Sequence, residues 1–206
     1  MADLASGGYP QANPLQTILG RLGNTVQSNI PIRSNAEYLG IAAATDAAAL
    51  VTNKIIVVPI AVDYGVEYST VTFVAGGTAP TVTINYAAVY SGLATAATSL
   101  LLSQSTDAAS TAPTASQANS YTLATPTTAT AANAPFGYWF VGVQGTGTVN
   151  SALGVSVAVA VDVLQKAVFT HAPWALAASV AATTSTAPAN LGTPTTVALK
   201  PLIFLS

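Results

Sequence analysis

The chain has 206 residues, of which five are Lys or Arg, seven are Asp or Glu, one is His and none is Cys. Charged residues make up 6% of it, against about 25% in an ordinary globular domain. Without cysteine, disulfides, thiolate metal sites and thiol nucleophiles are excluded, and a net charge of −2 with scattered basic residues leaves no electrostatic footprint for nucleic acid.

Residues 1–36 read as an arm distinct from the rest of the chain. Asn13-Pro14 precedes Leu15, Ile18, Leu19 and Leu22, whose spacing lines one face of a helix. Asn13 suits the N-cap, Pro14 the first helical position and Gly23 the end. A helix this short does not hold alone. Its apolar face therefore either docks on a neighbouring subunit or packs on its own domain. The alanine-rich residues 42–51 read as a helical turn or a loop.

Residues 37–206 read as a β domain. The apolar run 55–62 is broken by Pro59, which favours an edge or bulge position. After a turn at Asp63-Tyr64-Gly65, residues 66–74 alternate, with Glu67, Ser69, Val71 and Phe73 opposite Val66, Tyr68, Thr70, Thr72 and Val74. Residues 81–90 also alternate, placing Val82, Ile84, Tyr86, Ala88 and Tyr90 on one side. Another strand is expected at 98–104 and a short one at 120–124. The Thr/Ala/Ser/Pro segments around the latter, 103–119 and 125–135, are expected to be loops at one end of a sandwich.

The most concentrated apolar run is 136–144. As an extended chain it puts Gly137, Trp139, Val141 and Val143 on one face and Phe136, Tyr138, Phe140, Gly142 and Gln144 on the other. Both faces need covering, which predicts an inner strand. Gly145-Thr146-Gly147-Thr148 reads as a turn, residues 154–163 as a strand, 183–196 as loop, and 197–205 as a strand interrupted by Pro201. About eight short strands between Gly/Pro/Thr turns predict an all-β antiparallel sandwich. Eight strands favour a jelly roll over an immunoglobulin-like sandwich.

Catalytic and metal chemistry find little support. His171 is the only base of its kind and no G-x-S-x-G elbow accompanies it. Neither a zinc-type nor a calcium-type ligand cluster is legible. Asp63 and Glu67, the closest carboxylates, flank a turn and are expected to face solvent. Tyr86, Tyr90, Tyr138 and Trp139 have the spacing of core residues more than of an outward sugar platform. The expectation is no enzyme, no catalytic residues, no metal and no cofactor.

Sparse charge has a further consequence. Twelve charges over a folded surface of roughly 8,900 Å² leave about one per 740 Å², while monomers rarely expose apolar patches beyond about 300–600 Å². Much of the exterior is therefore expected to lie against other protein, as in a homo-oligomer. At 51% hydrophobic the chain does not read as disordered. Its longest apolar runs are too short to span a bilayer as helices, and the first residues lack the pattern of a secretory signal.

Three segments together carry a resemblance. Ile56-Val57-Val58-Pro59-Ile60 leading to Tyr64-Gly65-Val66, then Val82-Thr83-Ile84-Asn85-Tyr86-Ala87-Ala88-Val89-Tyr90, then Phe136-Gly137-Tyr138-Trp139-Phe140-Val141-Gly142-Val143 resemble the jelly-roll virion structural proteins of tailed bacteriophages. The likeness covers residues 55–144 and has no counterpart in the arm. It implies a non-enzymatic role on the virion surface, as a capsid decoration protein on the major capsid protein or as a tail-associated protein that binds a host receptor or glycan. Combined with the charge count, it leads us to expect a self-associating sandwich, a trimer by preference, docked through residues 1–36 with Leu15, Ile18, Leu19 and Leu22 as the candidate contacts.

Overall fold

The computed structural model describes residues 32–34, 44–49, 53–77, 81–92, 98–108, 111–147, 151–156, 178–196 and 199–206. The expected helix with Leu15, Ile18, Leu19 and Leu22 lies outside them, as do His171 and residues 157–163. The chain divides into Met1–Ile32 and a second unit, Arg33–Ser206. Arg33 and Ser34, expected within the arm, are thus part of the β unit.

That unit is built of antiparallel strands, and no α-helix occurs among the described residues. In chain order these are β1 (Arg33–Ser34), β2 (Ala44–Ala49), β3 (Lys54–Ala61), β4 (Glu67–Val74), β5 (Val82–Tyr90), β6 (Leu101–Gln104), β7 (Ala118–Thr128), β8 (Tyr138–Gly147), β9 (Ser151–Ser156), β10 (Ala178–Ala181), β11 (Thr195–Thr196), β12 (Leu199–Pro201) and β13 (Ile203–Leu205). One sheet has the order β1-β13-β4-β7 and the other β11-β10-β3-β8-β5-β6. Besides β2, β9 and β12, which form a small sheet of their own, and the edge pair β10 and β11, eight strands remain. Counted along the chain, they lie in the orders first-eighth-third-sixth and second-seventh-fourth-fifth. That is the jelly roll, two Greek keys wrapped into two sheets.

Side chains from both sheets fill the space between them. Ile56, Val58 and Ile60 of β3, Ala87 and Val89 of β5, and Trp139, Val141 and Val143 of β8 meet Tyr68, Val71 and Phe73 of β4, Tyr121 and Leu123 of β7, and Ile203 and Leu205 of β13. Trp139 crosses the interface edge-on to Tyr68, ring centroids 5.6 Å apart. Strand β8 sits between β3 and β5, paired from Tyr138 to Gln144 on one side and from Phe140 to Gly147 on the other. Its alternate residues, Tyr138 and Phe140, join Ile55, Val57, Tyr86, Ala88 and Tyr90 in a second cluster on the sheet's outer face. The two-faced inner strand expected from 136–144 is what the fold contains from Tyr138 onward, whereas Phe136, expected on a covered face, precedes the strand and is exposed.

Several local expectations change. Residues 44–49 form β2, not a helical turn or loop, because β9 supplies backbone partners. The alternation along β4 breaks: Tyr68 and Val71 both face the core. Two successive amides, of Ser69 and Thr70, donate to the one carbonyl of Ser206 at 2.8 and 2.7 Å, and this bulge shifts the face by one residue. Strand β7 is 11 residues long and includes Pro126, where a short strand was expected. Its register against β4 jumps from Thr127 to Thr122 while β4 advances from Tyr68 to Thr70, so Pro126 lies in the bulged part. Gly145, Thr146 and Gly147 continue β8 against β5 and do not turn. Pro59 belongs to an inner strand, and the described pairs between β3 and β10 run only from Lys54 to Val57, so none of them needs the N–H that proline lacks.

Candidate functional site

Strand β7 also decides where the Thr/Ala-rich loops lie. Residues 111–117 precede it and 129–137 follow it, so roughly 30 Å of strand separates them. They occupy opposite ends of the sandwich and not one end as expected. The first joins the β4–β5 connection, with the Ser116 amide donating to Gly76 O at 2.9 Å. The second joins the β3–β4 turn, with the Gly65 amide donating to Ala129 O at 2.8 Å and the Val62 amide to Gly137 O at 3.0 Å.

The loop 129–137 is held by its own side chains. Asn133 Oδ1 accepts from the Thr130 amide at 2.9 Å and from Trp139 Nε1 at 3.1 Å, and Asn133 Nδ2 donates to Thr128 O. Tyr64 donates its hydroxyl to Ala134 O at 2.7 Å but remains 55% exposed, and Phe136 is 38% exposed. Two large apolar rings thus project from a rigid end. Beside them Asp63, expected to face solvent, accepts from Arg33 Nε at 2.9 Å. This partly exposed pair ties β1 to the β3–β4 turn. Glu67 is exposed.

No charged residue stands between Asp107 and Asp162. Strands β7 and β8 and the connection between them are therefore uncharged, and Glu67 is the only charged residue of β4, β7 or β13. The outer surface of the four-stranded sheet is made of Thr72, Ser120 and Thr122 around the half-buried Phe204, with the Thr72 and Ser120 hydroxyls 2.7 Å apart.

The outer face of the six-stranded sheet is covered by residues 182–194, a strap whose sequence reads only as loop. It leaves β10 at one side of the sheet and crosses to β6 at the other. There the Leu101 amide donates to Ala189 O at 3.0 Å, and Leu100 bridges Asn190. The chain then returns to β11, which pairs with β10. Gln104 latches it: its Oε1 accepts from the Ala187 amide at 2.7 Å and its Nε2 donates to Ser185 O at 3.4 Å. Gln144 Nε2 donates to Ala182 O at 3.3 Å.

Beneath the strap, Tyr86 Oη, Tyr90 Oη and Gln144 Oε1 are buried with no hydrogen-bond partner. Tyr86 is the direct cross-strand neighbour of Gln144, and Tyr90 lies further along the same face of β5. Burial, reinforced by the negative charge of Asp107, pushes the Tyr86 hydroxyl up to about 12. Burial raises Tyr90 further, with Tyr86 adding to the effect, and pushes Tyr138 up to about 12. An orphaned buried polar group costs roughly 1–3 kcal/mol. Of the strap's own side chains only Ala182, Ala187 and Leu191 are buried, and a buried leucine returns about 1.5–3 kcal/mol. The strap's own apolar anchoring is small beside the polar atoms it encloses.

Among the described residues no three His, Asp or Glu side chains converge as a metal-ligand group, and no helix is long and apolar enough to cross a membrane. What the architecture defines is an all-β jelly-roll protein with a strapped outer sheet and an almost uncharged opposite sheet. No protein-family model matches the chain, and no curated protein matches it in sequence.

Proposed function

We propose that this is a non-enzymatic bacteriophage virion structural protein, a capsid decoration protein that self-associates and docks on the major capsid protein. The observation that carries the reading is the almost uncharged exterior of the four-stranded sheet. A four-stranded sheet whose only charged residues are Glu67 and the Arg33 already paired with Asp63 is poorly suited to bulk water and well suited to burial against another protein. The jelly roll agrees with what the resemblance to phage virion proteins implies. Light scattering on the purified protein tests the self-association: the expected mass is that of a trimer, and a monomer at high concentration would refute it. Labelled electron microscopy of particles then tests location, with signal over the shell expected.

A second reading, a tail-associated protein that binds a host receptor or glycan, is favoured by the exposed rings of Tyr64 and Phe136 on their rigid end. Label confined to the tail, with glycan-array binding lost in a Tyr64→Ala/Phe136→Ala variant, would establish it in place of the first.

A further inference from the structure

We propose that the outer face of the six-stranded sheet is a binding site for a small neutral polyhydroxylated molecule, such as one sugar unit, with residues 182–194 as its cover. The inference is independent of the virion reading. Native proteins satisfy nearly all buried polar atoms, yet three without partners lie together under one segment here: Tyr86 Oη, Tyr90 Oη and Gln144 Oε1. Tyr86 and Gln144 face each other across β5 and β8, and both tyrosines line the same face of β5. Among the described residues no other buried side-chain nitrogen or oxygen is orphaned in this way.

The chemistry of the face selects the ligand. The rings of Tyr86, Tyr90, Tyr138 and Phe140 offer flat apolar walls, with Tyr138 edge-on to Phe140 at 5.2 Å. Among them stand the two orphaned hydroxyls of Tyr86 and Tyr90, able to donate or accept, and the Gln144 amide oxygen, which can only accept. Mostly apolar walls with a few converging polar groups are the makeup of a small-molecule site. The charge that reaches this face is the carboxylate of Asp107, which acts on the Tyr86 hydroxyl, so an anionic ligand would be both desolvated and repelled. A sugar ring meets both requirements, its C–H faces on the aromatic walls and its hydroxyls on the three orphaned atoms, one donating to Gln144 Oε1. Entry requires the strap to lift. It is tied down by the Gln104 side chain on β6, by the bond from Gln144 to Ala182 O, and by backbone bonds from Leu101 to Ala189 O and from Ala182 to Asn53 O.

Saturation-transfer NMR on the full chain tests this, with glucose, galactose, mannose and N-acetylglucosamine as neutral probes and glucuronate as the charged control. Transfer from at least one neutral sugar and none from glucuronate is expected. A Tyr86→Phe/Tyr90→Phe variant keeps both rings, so it should fold, and should bind roughly tenfold or more weakly. Gln104→Ala should speed hydrogen exchange at residues 182–191 while leaving β8 protected. A Thr122→Ala variant, on the exposed face of the opposite sheet, should bind as the parent does. Absence of transfer from every neutral sugar overturns the proposal, trapped water then satisfying the three atoms. Binding undiminished in the Tyr86→Phe/Tyr90→Phe variant overturns it too, by placing the sugar elsewhere.

Discussion

Truncating Trp139 to Ala removes the side chain on which both halves of the sandwich converge. Trp139 is fully buried, lies on the inner face of β8 and packs edge-on against Tyr68 of the opposite sheet. Its Nε1 also anchors Asn133 at the base of the loop 129–137. A buried Trp→Ala change costs about 3–5 kcal/mol from lost burial and the cavity left behind. Losing the indole N–H adds little, because Asn133 Oδ1 keeps its bond from the Thr130 amide. At about 2–4 °C per kcal/mol for a domain of this size, the melting temperature should fall by roughly 6–20 °C. Urea unfolding followed by tryptophan-independent circular dichroism measures this, and Trp139→Phe should recover part of the loss. A cost below about 1 kcal/mol, or lost partner binding at undiminished stability, would refute the placement of Trp139 in the inter-sheet core.

Two further outcomes rest on the same packing. The hydroxyls of Tyr86, Tyr121 and Tyr138 are pushed up to about 12 by burial, from an ordinary value of 10.0. Because the folded state favours the neutral form, this stability is fully present below pH 10 and is lost as pH rises towards about 12. Each group withdraws at most about 1.4 kcal/mol per pH unit in that window. Phenolate absorbance in the native protein should therefore lag that of the unfolded chain, and coincidence of the two titrations would contradict the burial. At Gly142 an added Cβ would sit 2.7 Å from Val57 Cγ1 and 2.8 Å from Ile55 Cδ1. Gly142→Ala should thus destabilise by about 1–3 kcal/mol, and an unchanged urea midpoint would show that these two side chains yield freely.

The inner position of 136–144 was legible because a strand apolar on both faces admits no other place, and the tyrosines of β5 because their alternation is unbroken. The register of β4 was not legible beyond Tyr68. A bulge depends on where the Ser206 carbonyl arrives, 136 residues on from Thr70, and no local pattern announces it. Strand β7 was cut short for a related reason. Its Thr, Ala and Pro residues have loop composition, and only pairing with β4 and a bulge around Pro126 make them a strand. Gly145 to Gly147 looked like a turn because glycines usually break strands, yet β5 pairs with them directly.

The candidate sites divide the same way. That the outer face of β8 and β5 needs a cover follows from Tyr86, Tyr90, Tyr138 and Phe140 alone. What covers it does not, since residues 182–194 bury only two alanines and one leucine and carry no periodic signal. The orphaned atoms of Tyr86, Tyr90 and Gln144 emerge only when that strap lies over them. Likewise the loops at 111–117 and 129–137 share a composition, and their placement at opposite ends is decided by the strand between them. Composition and alternation, being local properties of the chain, determined a charge-poor all-β protein with one doubly buried strand. Register, bulges and the strap arise from contacts between residues far apart in sequence, and those only the tertiary structure decided.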